Sequence, residues 1–298
     1  MVETTAELDP GLGPVAVSRQ SQTAIVLRQL RRNPIAIIGA VVLALEILIA
    51  IAAPVVAPYD PMYQDFSVPL KGPSHAHLFG TDDTGRDILS RVIFGARISL
   101  RVGFVAVGIG AGIGVLLGIV SGFYVGTVDS VLMRLNDLLL AFPGLLLALA
   151  IVAVLGPGLF NVMIAVGIGG VPVYVRLARA STLSARERDY VLAARAIGCR
   201  DRRIMLRYIL PNVVPPVIVV ATLGVAGAIL TAASLSFIGV GAQPPTPEWG
   251  AILTLGRQYL QQAWWYTFFP GAAIMITVLA VNMVGDALRD ALDPKLRV

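Results

Sequence analysis

The chain has 298 residues, of which 56% are hydrophobic and only 14% are charged, and its mean hydropathy is +0.79. Soluble domains contain about 25% charged residues, so this composition excludes an ordinary soluble domain and indicates a membrane protein. The net charge is +5, and every basic residue except Lys71 and Lys295 is an arginine. A single cysteine, Cys199, excludes a disulfide framework within the chain.

Six stretches of the sequence are apolar enough to cross a membrane. A membrane-spanning helix needs about 20 mostly apolar residues, because lipid offers no partner to an unpaired backbone group. The predicted spans are Ile35–Ala57, Val102–Tyr124, Leu138–Leu155, Gly158–Val175, Asn212–Leu235 and Thr267–Gly285. The predicted fold class is an all-α membrane protein with six transmembrane helices and both termini on one side.

The basic residues predict which side that is. If the N-terminus is inside, 17 of the 23 basic residues fall on the inner side, and nine of them lie in the loop Arg176–Pro211. Lys and Arg accumulate in short cytoplasmic loops, so both termini are predicted to be cytoplasmic. The basic excess then reflects orientation in the bilayer, and no nucleic-acid partner is expected. The first span begins too late and is too long for a cleaved signal peptide.

The loops divide the chain into four parts. We predict a flexible cytoplasmic tail at residues 1–24, a first span with an external segment at residues 25–96, the main transmembrane domain at residues 97–290 and a cytoplasmic tail at residues 291–298. A charged stretch at the end of the external segment, Asp83–Ser99, is expected to be helical. A second external loop, Phe237–Tyr266, carries three tryptophans that we expect at the outer headgroup level. They are Trp249, Trp264 and Trp265.

No catalytic or metal site emerges from the sequence. A P-loop needs a lysine directly after a glycine-rich turn, and neither lysine has that context. His75 and His77 stand in a loop and fall short of the four ligands of a closed metal site. Glycines spaced four apart in the second span favour close helix packing, within the chain or against a partner, over nucleotide binding. These are Gly110, Gly114, Gly118 and Gly122.

Glu46 is an acidic residue near the middle of the first span. An ionisable residue inside the membrane is a candidate functional site, here for a proton or cation. The alternative is a protonated or hydrogen-bonded acid that faces the helix bundle. We favour the alternative, because one isolated acid makes a poor relay.

The large internal loop predicts a helix, a glycine turn and a second helix. Gly198 suits the left-handed position just past a helix, and Asp201 suits the N-cap of a second helix, Arg202–Leu210, that Pro211 ends. The first helix carries an apolar stripe at helical spacing, formed by Tyr190, Ala193, Ala194 and Ile197. Such a stripe docks in a groove of another protein, packs on the chain's own spans or lies in the headgroup layer. The residues alone leave these readings open.

This loop resembles the EAA loop of the permease subunits of bacterial ABC importers. That pattern reads Glu-Ala-Ala, three residues, Gly, nine residues and Ile-x-Leu-Pro. Leu192 replaces its Glu, and Tyr208 replaces its Ile. The matching residues are Ala193, Ala194, Gly198, Leu210 and Pro211. The resemblance implies a type-1 importer permease whose loop, at residues 185–211, couples the spans to an ATPase.

A second resemblance lies in the external segment. The stretch from Phe79 to Leu100 is similar to the segment after the first span in dipeptide, oligopeptide and nickel importer permeases, in particular their C-type subunit. The residues that carry this resemblance are Gly80, Thr81, Asp82, Gly85, Arg86, Asp87 and Arg97.

Together the resemblances imply a transport subunit of the bacterial inner membrane and not an enzyme. Its partners would be a homologous B-type permease, two cytoplasmic ATPases that bind ATP and Mg, and an extracytoplasmic peptide-binding protein. No cofactor is expected in this chain. Its expected cargo is a di- or oligopeptide, with nickel or glutathione as alternatives. A different class, an ion-coupled secondary transporter using Glu46, is the less favoured reading.

Overall fold

Helices form the regular structure of residues 33–292, which are the residues that the computed structural model describes. Within this range no β-strand forms, and an isolated bridge joins Thr81 to Asp87. The helices are Pro34–Val56 (α1), Ile88–Tyr124 (α2), Gly126–Leu140 (α3), Gly144–Leu155 (α4), Leu159–Arg186 (α5), Asp189–Ala196 (α6), Asp201–Ile238 (α7), Trp249–Gly256 (α8) and Trp265–Leu292 (α9). The predicted tail at residues 1–24 lies outside the described residues, as do residues 293–298 of the second predicted tail.

Three of these helices start at a side-chain cap that satisfies free backbone N–H groups. Asn33 accepts hydrogen bonds from the backbone N–H groups of residues 35 and 36, and Pro34 is the first helical residue. Asp87 caps α2 through the N–H of Ser90 at 2.8 Å. Glu248 caps α8 and is buried, and this burial raises the pKa of its carboxyl group.

Five helices, α1, α2, α5, α7 and α9, are each long and apolar enough to cross a membrane. They confirm five of the six predicted spans and extend most of them; α2 begins at Ile88 and not at Val102. The predicted sixth span, Leu138–Leu155, is bent: α3 and α4 together are apolar enough to form one span. The chain breaks there at residues 141–143, and α3 and α4 meet at 93°. Pro143, which has no N–H to continue the helical hydrogen bonds, lies at the N-cap of α4.

Helix α2 is the centre of the bundle. It packs on α1, α5 and α7, while α1 also packs on α9 and turns Ile51 and Val55 to the outside. We call the end where α2 begins the capped end; it carries residues 57–87 and 239–264. The opposite end, where α2 finishes beside α6, we call the coupling end.

The predicted boundary between residues 96 and 97 falls inside α2, and the division into domains stays a prediction.

The glycines of α2 bring its backbone against that of α5. A Cβ atom on Gly114 would lie 2.8 Å from the carbonyl oxygen of Val171, and one on Gly118 would lie 2.5 Å from that of Val175. Gly110 and Gly122 face α5 in the same way. The predicted packing role is confirmed, and the partner helix belongs to the same chain.

Helix α7 runs through Pro211, so the predicted helix end at this proline is wrong. A π-helical turn, Met205–Ile209, directly precedes Pro211, and the N–H of Leu210 bonds to the carbonyl of Met205. This wider turn accommodates a residue that has no N–H to donate. The second helix of the loop and the following span therefore form one continuous helix, Asp201–Ile238.

We predict that Gly118→Val destabilises the protein, since the new side chain would collide with Val175 and Ala178. Overpacking of this kind costs about 1–3 kcal/mol. Gly108→Val is the matched control in the same helix, because a Cβ there meets no atom within 4 Å. Thermal unfolding of the two purified variants in detergent tests this, and equal Tm values would contradict the packing role.

Candidate functional site

Helix α6 at the coupling end has one face against the protein and one exposed face. Val191 is 0% exposed and Ala194 is 3% exposed. Tyr190 and Ala193 point outward, and Ile197, just past the helix, is 78% exposed. An apolar surface of this kind beside water is typical of a contact with another molecule.

The predicted single stripe of α6 is therefore divided between two faces. Ala194 belongs to the inner face with Val191, which the sequence analysis did not single out. Their spacing of three residues is as helical as that of Tyr190 and Ala193, so periodicity alone could not separate the two faces. The residues in position to dock are Tyr190, Ala193 and Ile197.

A glycine turn joins α6 to α7. Gly198 has a φ of +75°, which confirms the predicted left-handed conformation. The N–H of Cys199 bonds to the carbonyl of Ala194 at 3.0 Å and closes the end of the helix. The prediction for Asp201 is wrong by one residue: Arg200 occupies the N-cap, and Asp201 is the first residue of α7.

The inner face of α6 is anchored on the ends of three long helices. Val191 and Ala194 share a buried cluster with Phe123 of α2, Ala185 of α5 and Ile204 of α7. The guanidinium group of Arg195 stands over the Phe123 ring at 4.9 Å, a cation–π geometry. Helix α6 therefore packs on α2, α5 and α7 at once. Leu210 is half-buried, and Pro211 is exposed on α7.

The external segment forms a buried ionic cluster at the capped end. Asp82 is 0% exposed, and its Oδ2 atom accepts a hydrogen bond from Arg86 Nε. Arg91 Nε lies 3.7 Å from the same oxygen. Arg91 Nη1 also donates to the carbonyl oxygens of Pro61 and Pro245, at 3.0 and 3.3 Å. The cluster ties both external loops to the start of α2.

Most of the remaining residues that carry the family resemblance in this segment also make structural contacts. Thr81 donates to the carbonyl oxygen of Val68 at 2.6 Å. Gly80 has a φ of +76° and lies against the Trp265 ring. Gly85 lies against the backbone of Asp65, and Asp87 caps α2. Arg97 is exposed on α2, away from the cluster.

Two of the three external tryptophans pack inside the protein, and their predicted position at the headgroup level stays a prediction. Trp249 is buried, and its indole Nε1 donates to the carbonyl of Val92 at 3.0 Å. Trp265 is also buried and donates to the carbonyl of Thr81 at 3.2 Å. Trp264 is exposed, as expected for a residue at the headgroup level.

His77 is held by the protein, whereas His75 is exposed. The Nδ1 atom of His77 lies 3.0 Å from Asp87 Oδ1, and the Tyr59 ring lies 4.9 Å from its ring. Among residues 33–292, no group of three or more His, Cys, Asp or Glu side chains is placed to hold a metal ion. His77 therefore fixes the external loop to the capped start of α2.

Glu46 joins α1 to α9 inside the bundle. Thr277 Oγ1 lies 3.1 Å from Glu46 Oε1 and 2.9 Å from the carbonyl of Ala273. The second carboxyl oxygen of Glu46 is buried, with no hydrogen-bond partner among the described residues. This geometry is the hydrogen-bonded, bundle-facing arrangement favoured from the sequence.

Comparison with known proteins identifies the class. Residues 114–298 match the family described as binding-protein-dependent transport system inner membrane component. Residues 21–73 match the N-terminal transmembrane domain of oligopeptide transport permease C. The chain belongs to this family of ABC importer permeases, and within it to the C-type subunits. It is thus a multi-pass transport subunit of the inner membrane and not an enzyme.

Similar proteins show which importer permeases this chain resembles most within the family. The dipeptide transport system permease protein DppC of Alkalihalophilus pseudofirmus is 49% identical over 270 residues, which cover 91% of this chain and 89% of that protein. The di/tripeptide permease protein DppC of Pseudomonas aeruginosa is 49% identical over 265 residues, 87% of this chain and 88% of that protein. The glutathione permease protein GsiD of Escherichia coli is 50% identical over 271 residues, 91% of this chain and 89% of that protein.

A solved structure confirms the fold. The inward-facing MetNI methionine ABC transporter matches with a TM-score of 0.56 and 18% identity, and the match covers 69% of this chain and 98% of that one. At this identity the likeness concerns the fold alone. It confirms the predicted architecture of an ABC importer permease.

We predict that Glu46→Gln leaves both transport and stability close to wild type. Gln keeps an oxygen acceptor for Thr277 and removes only the ionisable group. Uptake by the reconstituted transporter and its Tm are the two measurements. Loss of uptake at unchanged Tm would instead support a proton or cation site.

We predict that Asp82→Ala destabilises the protein strongly. It removes the hydrogen-bonded partner of the buried Arg86, which then keeps, among the described residues, only Asp83 at 3.7 Å, and breaking a buried ion pair costs about 3–5 kcal/mol. Asp65→Ala is the control, because among the described residues the half-buried Asp65 has no basic partner and its side chain bonds only to Ser67; the expected change is about 1 kcal/mol. Similar Tm values for the two variants would contradict the role of the cluster.

Proposed function

We propose that this chain is the C-type permease of an ATP-driven importer of short peptides. The similar proteins are named for dipeptides, for di- and tripeptides and for glutathione. Glutathione is itself a tripeptide, so short peptides are the shared chemistry of these names. This makes short peptides a better supported cargo than nickel.

The transporter would pair this chain with a homologous B-type permease. Two cytoplasmic ATPases would bind ATP and Mg, and an extracytoplasmic binding protein would deliver the peptide. Both termini would lie in the cytoplasm, which places the coupling end inside and the capped end outside. The distribution of 17 of the 23 basic residues supports this orientation.

The single observation that carries the proposed mechanism is the two-faced helix α6. Its outer face offers Tyr190, Ala193 and Ile197 to an ATPase, and its inner face is packed on α2, α5 and α7. Closure of the ATPases would displace α6, and the shared buried cluster would pass that displacement to the three spans. The path would then open to the outside, accept the peptide and reset after hydrolysis.

An ion-coupled secondary transporter is the competing class. It would depend on Glu46, whose contact with Thr277 joins two helices and offers no second acidic residue for a relay. Reconstitution decides between the classes. We expect uptake of a labelled dipeptide to need ATP, both permeases, the ATPases and the binding protein, whereas uptake by this chain alone would overturn the proposal.

We predict that Gly198→Val uncouples ATP hydrolysis from uptake. A β-branched residue at φ +75° strains the turn by about 1–3 kcal/mol and shifts α6. We expect hydrolysis to continue while uptake falls about tenfold or more. Gly156→Val is the matched control, since Gly156 has a φ of +90° and equally open surroundings at the capped end. Normal uptake by the Gly198 variant would contradict the coupling role.

A further inference from the structure

Four arginines line a shallow pocket at the start of α7, one turn beyond the glycine turn. The pocket has a volume of about 340 Å³, and Leu206 forms its apolar wall. All four arginines and Leu206 are exposed to solvent. They are Arg200, Arg202, Arg203 and Arg207. We call this site the basic pocket.

The basic pocket lacks a negative partner within residues 33–292. None of its arginines lies within 4.0 Å of a carboxylate oxygen there, or donates a side-chain hydrogen bond to another described residue. Other arginines at this end are paired: Arg176 with Asp137 and Arg179 with Asp129. Four like charges side by side repel one another, so an anionic ligand is favoured in the pocket.

The position of the pocket along α7 favours a protein ligand over lipid. The apolar part of α7 begins near Val213, and Arg203 lies ten residues before it, which is about 15 Å along a helix. The headgroup layer on each side of the hydrocarbon core is only about 5–8 Å thick. Arg200, Arg202 and Arg203 therefore project beyond the headgroups, toward the cytoplasm in the proposed orientation.

The pocket is also continuous with the outer face of α6. Gly198 and Cys199 separate it from Ile197, so an apolar surface and a rim of arginines form one patch. Protein interfaces combine an apolar centre with a polar rim and are enriched in arginine. Leu192, at the position where the EAA pattern has Glu, is half exposed. Four arginines outnumber the exposed acidic residues beside them, Asp189 and Asp201, so the polar part of this patch is mainly basic.

We propose that the basic pocket binds acidic side chains of the ATPase subunit, on the rim of the groove that receives α6. This inference rests on the proposed function, and it adds an electrostatic contact separate from the coupling helix. Arginine holds carboxylates through paired, charge-assisted hydrogen bonds. The pocket would set the affinity and orientation of the ATPase, while α6 would transmit its motion.

The test measures binding of the purified ATPase to the permease pair in nanodiscs of zwitterionic lipid, at low and high salt. Arg202→Glu combined with Arg203→Glu should weaken binding about tenfold or more at low salt and remove most of the salt dependence. Arg134→Glu combined with Arg289→Glu is the charge-matched control, because both arginines are exposed outside the pocket. Arg203→Gln, a milder change, should give a smaller loss in the same direction.

Two results would overturn the proposal. One is wild-type affinity of the double variant, with an unchanged Tm, at low salt. The other is a loss that appears only in nanodiscs containing phosphatidylglycerol, which would assign the pocket to anionic lipid. Failure of the proposed function looks different, because the wild-type complex itself would then show no ATP-dependent uptake.

Discussion

The close approach of α2 and α5 is the contact on which the rest of the structure depends. Glycine at positions 110, 114, 118 and 122 lets the two backbones touch over about three turns of helix. The hydrophobic effect does not drive helices together in lipid, so close van der Waals contact must hold them together. A rigid pair of this kind can carry a displacement from one end of the bundle to the other without bending.

Helix α2 connects the two functional regions. Its first turn carries Arg91 of the ionic cluster at the capped end, and its last turn carries Phe123 of the cluster that holds α6. Its 37 residues span about 55 Å. The external loops and the coupling helix are therefore fixed to opposite ends of one helix. A displacement of α6 that moves α2 must also move the external face.

The sequence predicts the apolar parts of this fold better than its helix ends. Five spans follow from apolar runs, because burial in lipid requires such runs. The stretch Asp83–Ser99 is helical from Ile88 onward, as expected, but the sequence does not show that this helix continues into the second span, because Arg91, Arg97 and Arg101 interrupt the apolar pattern of α2. The structure buries Arg91 beside Asp82 and leaves the other two exposed. Pro211 was misread as a stop, since a π-helical turn that admits proline leaves no mark in periodicity.

The two faces of α6 show why the candidate site needed a structure. Val191, packed inside, and Ile197, in solvent, are equally apolar, so hydrophobicity gives no sign of which one meets the protein. The exposed fractions in the structure show which apolar side chains of α6 face outward, which the sequence pattern does not show. An apolar side chain left in water loses the free energy of burial, about 25 cal/mol per Å². With Tyr190 and Ile197 both exposed beside the arginines of α7, the outer face of α6 offers the apolar contact surface that the proposed docking to an ATPase requires.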